Sequence, residues 1–379
     1  MPTSPYYTED HEAFRAMLRR FVVEEIESNV AAWEAAGEVP LAIFRKSGAI
    51  GLRGLGFPET FGGTPGDPFH QIIVYEELGR AGSCGVVAAL TIHGIAAMPI
   101  VVLGSDEMKA RVLPGIVSGD KRATLCISEP GIGSDVAGLT TRAIRVGDDF
   151  VVNGCKTFIT GGMNADYYVV AARTGGAGTG GISLILVERG TPRLTQSRLE
   201  KMGWHASDTA TLYFDDCRVP AANLIGPENG GFRAIVKNFN GERFSIAAMA
   251  YGMARCAYDE ALAYAKIRST FGAPLISRQA IRHKLVDMAT RIAALKANLE
   301  AVAWRLSQGA EAVAEVSMLK NFATETLTHC AGEAVQIFGG AGYMRGSKVE
   351  RIYRETKVLA IGGGTEEIMK DLAARQLGW

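Results

Sequence analysis

The chain has 379 residues, with 40 Lys+Arg against 40 Asp+Glu and a hydrophobic share of 47%. That length suits two or three domains with ample core. Zero formal net charge gives no support to a nucleic-acid partner, which would leave a basic excess, but leaves room for a local basic patch around an anionic ligand. Cys84, Cys126, Cys155, Cys217, Cys256 and Cys330 stand in no C-x-x-C or other metal spacing. They read as reduced thiols of a cytoplasmic protein, and no metal site is expected.

Residues 1–12 are polar and acidic and do not read as a signal peptide. Residues 10–30 carry Phe14, Met17, Leu18, Phe21 and Val22 at helical spacing between charges. Residues 57–63 are a turn-rich loop. Asp67 caps a helix over 69–79, and Ser105 caps another with Asp106 and Glu107 in its first turn. Residues 85–104 approach membrane length, but Thr91, His93 and Pro99 interrupt them. A buried core helix fits better than a membrane span.

The middle changes character. Residues 141–145, 150–152, 167–173, 182–187 and 211–214 are short β-rich runs. Gly147-Asp148-Asp149 and Val152-Asn153-Gly154 read as hairpin turns between them. Helices return over 232–268, 280–306, 311–338 and 365–377, long and Ala-rich, as in a bundle. The predicted fold class is multidomain α and β: an N-terminal helical domain over 1–120, a central β-domain over 121–230 and a C-terminal helical bundle over 231–379.

Three Gly-rich segments compete for an anionic ligand. Gly131-Ile132-Gly133-Ser134 has a partial G-x-G pattern but no following helix, so a nicotinamide site fails on context. Residues 175–181 resemble a phosphate loop without its Lys-Ser/Thr ending, and read as a hairpin loop. Residues 362–367 open a helix. That is either an anion site or a Gly turn with a Thr N-cap, and the segment alone does not decide. One carboxylate stands out: Glu242, beside Arg243 in an otherwise apolar helical stretch, is costly to bury without a task.

Taken together, five segments resemble the acyl-CoA dehydrogenase family: residues 126–135 (CISEPGIGSD), 153–162 (NGCKTFITGG), 268–272 (RSTFG), 336–343 (QIFGGAGY) and 364–367 (GTEE). Each alone is weak, but their order spans nearly the whole chain. The resemblance implies FAD held between the β-domain and the bundle. Ile127 and Ser128 would meet the flavin edge, and Gly133 and Ser134 the pyrophosphate. Phe158 would cover a flavin face, with Ile159 beside it and Thr160 near the reactive nitrogen. Arg268 would pair with the pyrophosphate. Phe271, Gln279, Gln336, Gly339 and Gly340 would follow the adenosine half, and Thr365 and Glu367 would close the site. A second subunit completes such a site in the family, usually in a homotetramer, or else in a homodimer. Phe158 stands where many members have Trp, Ser128 where many have Thr, and Glu367 where a Gln is common.

The implied reaction is α,β-dehydrogenation of an acyl-CoA thioester to the trans-2-enoyl-CoA. A base takes the α-proton, hydrogen bonds polarise the carbonyl, and the flavin accepts the β-hydrogen as hydride. An electron-transfer flavoprotein takes the electrons. Many members carry the base directly before the closing Gly-Thr, where this chain has Gly363. The isovaleryl-CoA and long-chain subgroups carry it on the earlier helix, where Glu242 stands. Glu242 is therefore the expected base, with a structural ion pair to Arg243 as the competing reading. Ser134, Asn240 and Arg243 are expected near the substrate. Gly363 is expected to free space for longer or branched acyl chains. A flavin oxidase, a flavin monooxygenase or a non-catalytic protein on the same fold stay open as alternatives.

Overall fold

The computed structural model describes residues 4–379. Its N-terminal part holds α1 (Glu9–Phe21), α2 (Val30–Ala36), α3 (Leu41–Ala49), α4 (Pro68–Gly79), α5 (Cys84–Thr91), α6 (His93–Leu103) and α7 (Asp106–Ser118). The β-part holds β1 (Ala123–Cys126), β2 (Arg142–Val146), β3 (Asp149–Thr160), β4 (Tyr167–Arg173), β5 (Ile182–Glu188), β6 (Leu194–Arg198), β7 (Thr209–Pro220) and β8 (Leu224–Ile225). Then come α8 (Gly231–Ile267), a ribbon of β9 (Ser269–Thr270) and β10 (Ala273–Pro274), α9 (Gln279–Ser307), α10 (Val313–Phe338), α11 (Gly340–Tyr343), α12 (Lys348–Ile361) and α13 (Glu366–Gln376). This is the helix–β–helix order read from the sequence.

The caps work as their residue types require. The Asp67 side chain accepts from the N–H groups of Phe69 and His70, Ser105 from Met108, and Thr365 from Ile368. Two expected helices are interrupted. The helix over 10–30 passes from α1 through a π-turn (Val22–Ile26) and a 3-10 turn (Glu27–Asn29) into α2, while Val22, Ile26 and Val30 stay in the core. The apolar run 84–103 is long and apolar enough to cross a membrane by composition. It folds instead as α5 and α6, with Val86, Val87, Leu90, Ala96, Ala97 and Ile100 fully buried. Pro99 inside α6 has no N–H for the Ile95 carbonyl one turn back, and Asn238 of α8 donates to that carbonyl at 2.7 Å instead.

The strands form one sheet in the order β6-β7-β3-β2-β4-β5-β8, with β1 parallel to β4 off this path. Both faces of β4 and β5 are covered, which is why they read as unbroken apolar runs. Val169, Ala171, Leu184 and Leu186 face a core shared with α6 and α7, while Tyr168, Val170, Ile185 and Val187 face a core made by the sheet itself. The Gly147 turn joins β2 to β3 as expected. The second expected hairpin is not a turn: Asn153 and Gly154 lie inside β3, at a register shift against β7 between Val152 and Gly154. Gly154 sits at φ +146, and a Cβ there would lie 2.6 Å from Thr141 Oγ1, so the glycine is needed for a bulge. A larger core joins α1, α4, α8, α9, α10 and α12.

Candidate active site

Glu242 sits in the fourth turn of α8. The residue as a whole is half-buried, but its Oε2 is fully buried and has no hydrogen-bond partner. Burial pushes its carboxyl up to about 7, against the opposing pull of Arg243 and Lys320. Arg243 does not pair with it in contact. Its Nε donates to the Gly363 carbonyl at 2.9 Å, and its guanidinium lies 5.7 Å from the Phe239 ring centre. The competing reading of a structural Glu242–Arg243 ion pair therefore finds no contact pair among the described residues.

The loop after α12 comes to the same point. A Cβ built on Gly363 would lie 3.8 Å from Glu242 Cδ, so the two positions where a base could stand are neighbours in space. That Cβ would also lie 2.8 Å from Ile246 Cδ1, and Gly363 has φ +67. Ile246 thus borders the space that Gly363 leaves beside Glu242. Lys320 of α10 fastens the loop, its Nζ donating to the carbonyls of Gly364 at 2.6 Å and Ala360 at 3.2 Å. Its side chain is fully buried, and burial pushes its ammonium down to about 8. Tyr75 of α4 is buried against Ser245 and Thr91, and both burial and the nearby Glu242 raise its phenol.

Asn240 lies two residues before Glu242, and positions two apart on a helix do not share a face. Its Nδ2 donates to the Glu311 carbonyl at 2.5 Å and its Oδ1 is buried without a partner. The structure does not bring it to the Glu242 carboxylate. Ser134 is exposed in the loop after β1, and Gly133 has open space around it.

The β-side residues form a cradle built on a buried ion pair. Lys156 of β3 is fully buried, and its Nζ reaches Glu129 Oε1 at 2.8 Å and the Ile127 carbonyl at 2.9 Å. Burial alone would raise the Glu129 carboxyl, but Lys156, Thr140 and Thr141 overcome it and hold it down at about 2. The Thr157 N–H donates to the Ser128 carbonyl at 2.9 Å. The 127–129 loop and the end of β3 are thereby locked together. There a second register shift, between Lys156 and Ile159, puts Phe158 at φ +59 with 70% of its surface exposed. A left-handed aromatic residue with an open ring is a strained platform. Among the described residues neither the Ser128 nor the Thr160 hydroxyl has a hydrogen-bond partner. An open ring face beside two free hydroxyls fits the expected flavin: a planar system with a polar edge. Ile159 is 2% exposed and packs in the sheet core, so only its backbone is left for a ligand.

The remaining expected cofactor residues gather elsewhere. Arg268, Phe271, Gln279, Gln336, Gly339 and Gly340 are all exposed, Phe271 by 99%. They lie where α8 ends, α9 begins and α10 ends, an arrangement fixed by the Tyr264–Phe338 ring stack at 4.1 Å and the Lys284–Glu333 ion pair. From Glu242 to Arg268 the helix rises about 26 residues at 1.5 Å each, roughly 39 Å. Thr365 caps α13 near Glu242, with Glu367 exposed beside it. Sequence reasoning missed Lys156, Glu129, Lys320 and Tyr75. The available signal was a lysine inside a strand or helix otherwise apolar enough to be buried.

Residues 8–120, 124–217 and 229–378 match the N-terminal, middle and C-terminal domain models of acyl-CoA dehydrogenase. The chain is 39% identical to a probable acyl-CoA dehydrogenase of Bacillus subtilis, over 98% of each chain. It is 36% identical to the mitochondrial isobutyryl-CoA dehydrogenase of Bos taurus, over 98% of this chain and 89% of that one. The crystal structure of a probable acyl-CoA dehydrogenase from Mycobacterium abscessus superposes with a TM-score of 0.97 at 47% identity, covering 98% of this chain and 100% of that one.

Proposed function

The chain belongs to the acyl-CoA dehydrogenase family of flavin oxidoreductases, and we propose that it dehydrogenates an acyl-CoA thioester at its α,β-bond to the trans-2-enoyl-CoA, with Glu242 as the base. One observation carries this reading: a carboxylate oxygen that is buried and unpartnered beside the Gly363 loop. A base removing a weakly acidic α-proton works best with a pKa near the working pH, and burial supplies that shift. FAD, when bound, supplies the acceptor for the β-hydrogen as hydride.

Each residue's share follows from its place. Ser128, Phe158 and Thr160 seat the flavin ring, with Ile127 and the Ile159 backbone at its edge. Gly133, Ser134, Thr365 and Glu367 border the nucleotide. Arg243 shapes the loop carrying Gly363, and Lys320 keeps that loop against α10, so Glu242 is held for one geometry. Exclusion of water around Glu242 keeps its carboxylate poorly solvated and basic.

Arg268, Phe271, Gln279, Gln336, Gly339 and Gly340 complete the FAD site of a partner subunit in a homodimer or homotetramer. The roughly 39 Å rise along α8 puts them out of reach of the chain's own Glu242. We assign the protein to the cytoplasm and its electrons to an electron-transfer flavoprotein, as the resemblance implies. The test is anaerobic mixing of Glu242→Gln holoenzyme with straight and branched acyl-CoA substrates. Loss of flavin bleaching with retained flavin is expected. Bleaching at the wild-type rate would remove Glu242 from the role.

A further inference from the structure

The molecule buries another cation, outside the residues assigned above. Arg53, in the 3-10 turn Leu52–Gly54, is 1% exposed. Its Nε donates to the Ile116 carbonyl at 3.0 Å and its Nη1 to the Leu90 carbonyl at 3.3 Å. Those carbonyls lie in the last turns of α7 and α5, where a helix leaves acceptors unpaired and its dipole is negative. That accounts for two nitrogens of the guanidinium. The third, Nη2, is buried without a partner. Arg122, just before β1, shares the same surroundings, and its Nε is also buried without a partner. Both guanidinium carbons lie 5.4 Å from the centre of the Phe44 ring.

The charges here do not balance. An aromatic face offsets only part of one cation, and the two helix ends serve Arg53 alone. Burial, and then Arg122, push Arg53 down to about 9, so it stays charged at neutral pH, and no acid offsets it. Of the two acids nearby, Asp208 is taken by the Met163 N–H at 2.7 Å and by Asn164 Nδ2 at 3.1 Å, and Glu38 is exposed at the rim. His93 brings no counter-charge. Burial holds it neutral, its Nε2–H donates to the Arg53 carbonyl at 2.9 Å, and its Nδ1 is left as a buried lone pair. A water between Arg53 Nη2 and His93 Nδ1 would satisfy both atoms and still leave two cations unpaired. Buried charge without a counterion is the expensive case. Arg53, Arg122, His93 and Phe44 line one cavity that encloses about 30 Å³. One water needs about 10–15 Å³. The space therefore suits a water and a halide ion, or the two oxygens of a small carboxylate.

We propose that Arg53 and Arg122 bind a small monoanion, a halide or a carboxylate of one or two carbons, in this cavity. Arg53 Nη2 donates to the anion and Arg122 supplies the second charge. The anion fastens segments far apart in sequence: the Leu52–Gly54 turn, the break between α5 and α6, the start of β1, and Gly161 at the end of β3. The site holds none of the residues assigned to the flavin or the substrate. It stands whether or not Glu242 is the base.

The test starts from holoenzyme in potassium gluconate, whose anion is too large for the cavity. Chloride, bromide or formate is then added at constant ionic strength. The thermal midpoint should rise and saturate with at least one of them, and the chloride NMR line should broaden in proportion to bound sites. A stronger response to the halides identifies a halide site, and a stronger response to formate a carboxylate site. Arg122→Gln removes a side chain that has no hydrogen-bond partner among the described residues, so it should fold and bind the anion more than about tenfold more weakly. Arg53→Gln should abolish the response. If it fails to fold through loss of its contacts to α5 and α7, Arg122→Gln and a bromide-soaked wild-type crystal decide, the latter by an anomalous peak beside Arg53 Nη2. A midpoint that does not saturate, a response undiminished in Arg122→Gln, or water alone in the cavity of the soaked crystal overturns the site.

Discussion

Glu242 is held at odds with the stability of the fold around it. Its carboxyl ionises near pH 4.5 when exposed and near 7 in the folded chain. Below the lower value both states are protonated and the residue costs nothing. As pH rises from there to about 7, the unfolded state gives up its proton first and the native state loses ground. Above about 7 the full cost stands, about 3 kcal/mol at 1.36 kcal/mol per unit. Glu242→Gln is thus expected to be more stable than wild type by about that amount at pH 8 and equal to it at pH 4, as read by urea unfolding. In the proposed role, the same ionisation governs turnover. kcat/KM should fall about tenfold per unit as pH drops below about 7, because only the ionised carboxyl takes a proton. No gain of stability at pH 8 in the variant, together with an acid limb near 4.5 in the wild-type profile, would mean the carboxylate is solvated and not the base described.

At the level of elements, β3 does the most for the cofactor side. Its second bulge turns Phe158 outward and its Lys156 anchors the 127–129 loop through Glu129. Removing one partner of a buried pair leaves an uncompensated charge, typically costing about 3–5 kcal/mol. Lys156→Met should therefore destabilise by about that amount in thermal unfolding and purify with little flavin per chain. Glu129 is held down at about 2. The pair's contribution is present above the ordinary carboxylate value and fades only as pH falls toward 2, so wild type should keep its flavin into mild acid where the variant does not. Full flavin occupancy in Lys156→Met would dissociate the pair from the cradle. Much of this scale was legible beforehand. The capped helices, the strand runs and the Gly147 hairpin come from local chemistry that a window of a few residues contains. Glu129 and Lys156 are 27 residues apart and His11 and Asp67 are 56 apart, and only the fold joins them. The Asn153-Gly154 pair has the composition of a hairpin, but the strand continues through it because Gly154 packs its backbone on Thr141. The tolerance of Pro99 inside α6 was equally hidden, since the Ile95 carbonyl it leaves is reached by Asn238, 143 residues away.

The whole molecule is where the sequence-derived site and a single chain part company. The family motifs gave one cofactor set, but α8 holds its two groups roughly 39 Å apart along the helix. The distal group is open: Ile267 is 80% exposed, Phe271 99% and Tyr343 80%, around Arg268 and the ends of α9 and α10. Large apolar side chains standing out beside a cation mark a surface that another molecule covers. A twofold arrangement would let each chain lend this end to the other's cradle, since a symmetric contact repeats itself in both directions. Genetic complementation tests the idea directly. Glu242→Gln lacks the proposed base and Arg268→Ala lacks the distal cation, so each alone should be inactive. If Glu242 of one subunit works with Arg268 of its partner, a mixed pair contains one site with both defects and one with neither. Co-expression at equal levels should then restore activity at about a quarter of all sites. Were both residues needed within the same chain, every mixed site would carry one defect. Co-expressed oligomers, separated by tags so that the mixed species is assayed alone, would then be as inactive as their parents.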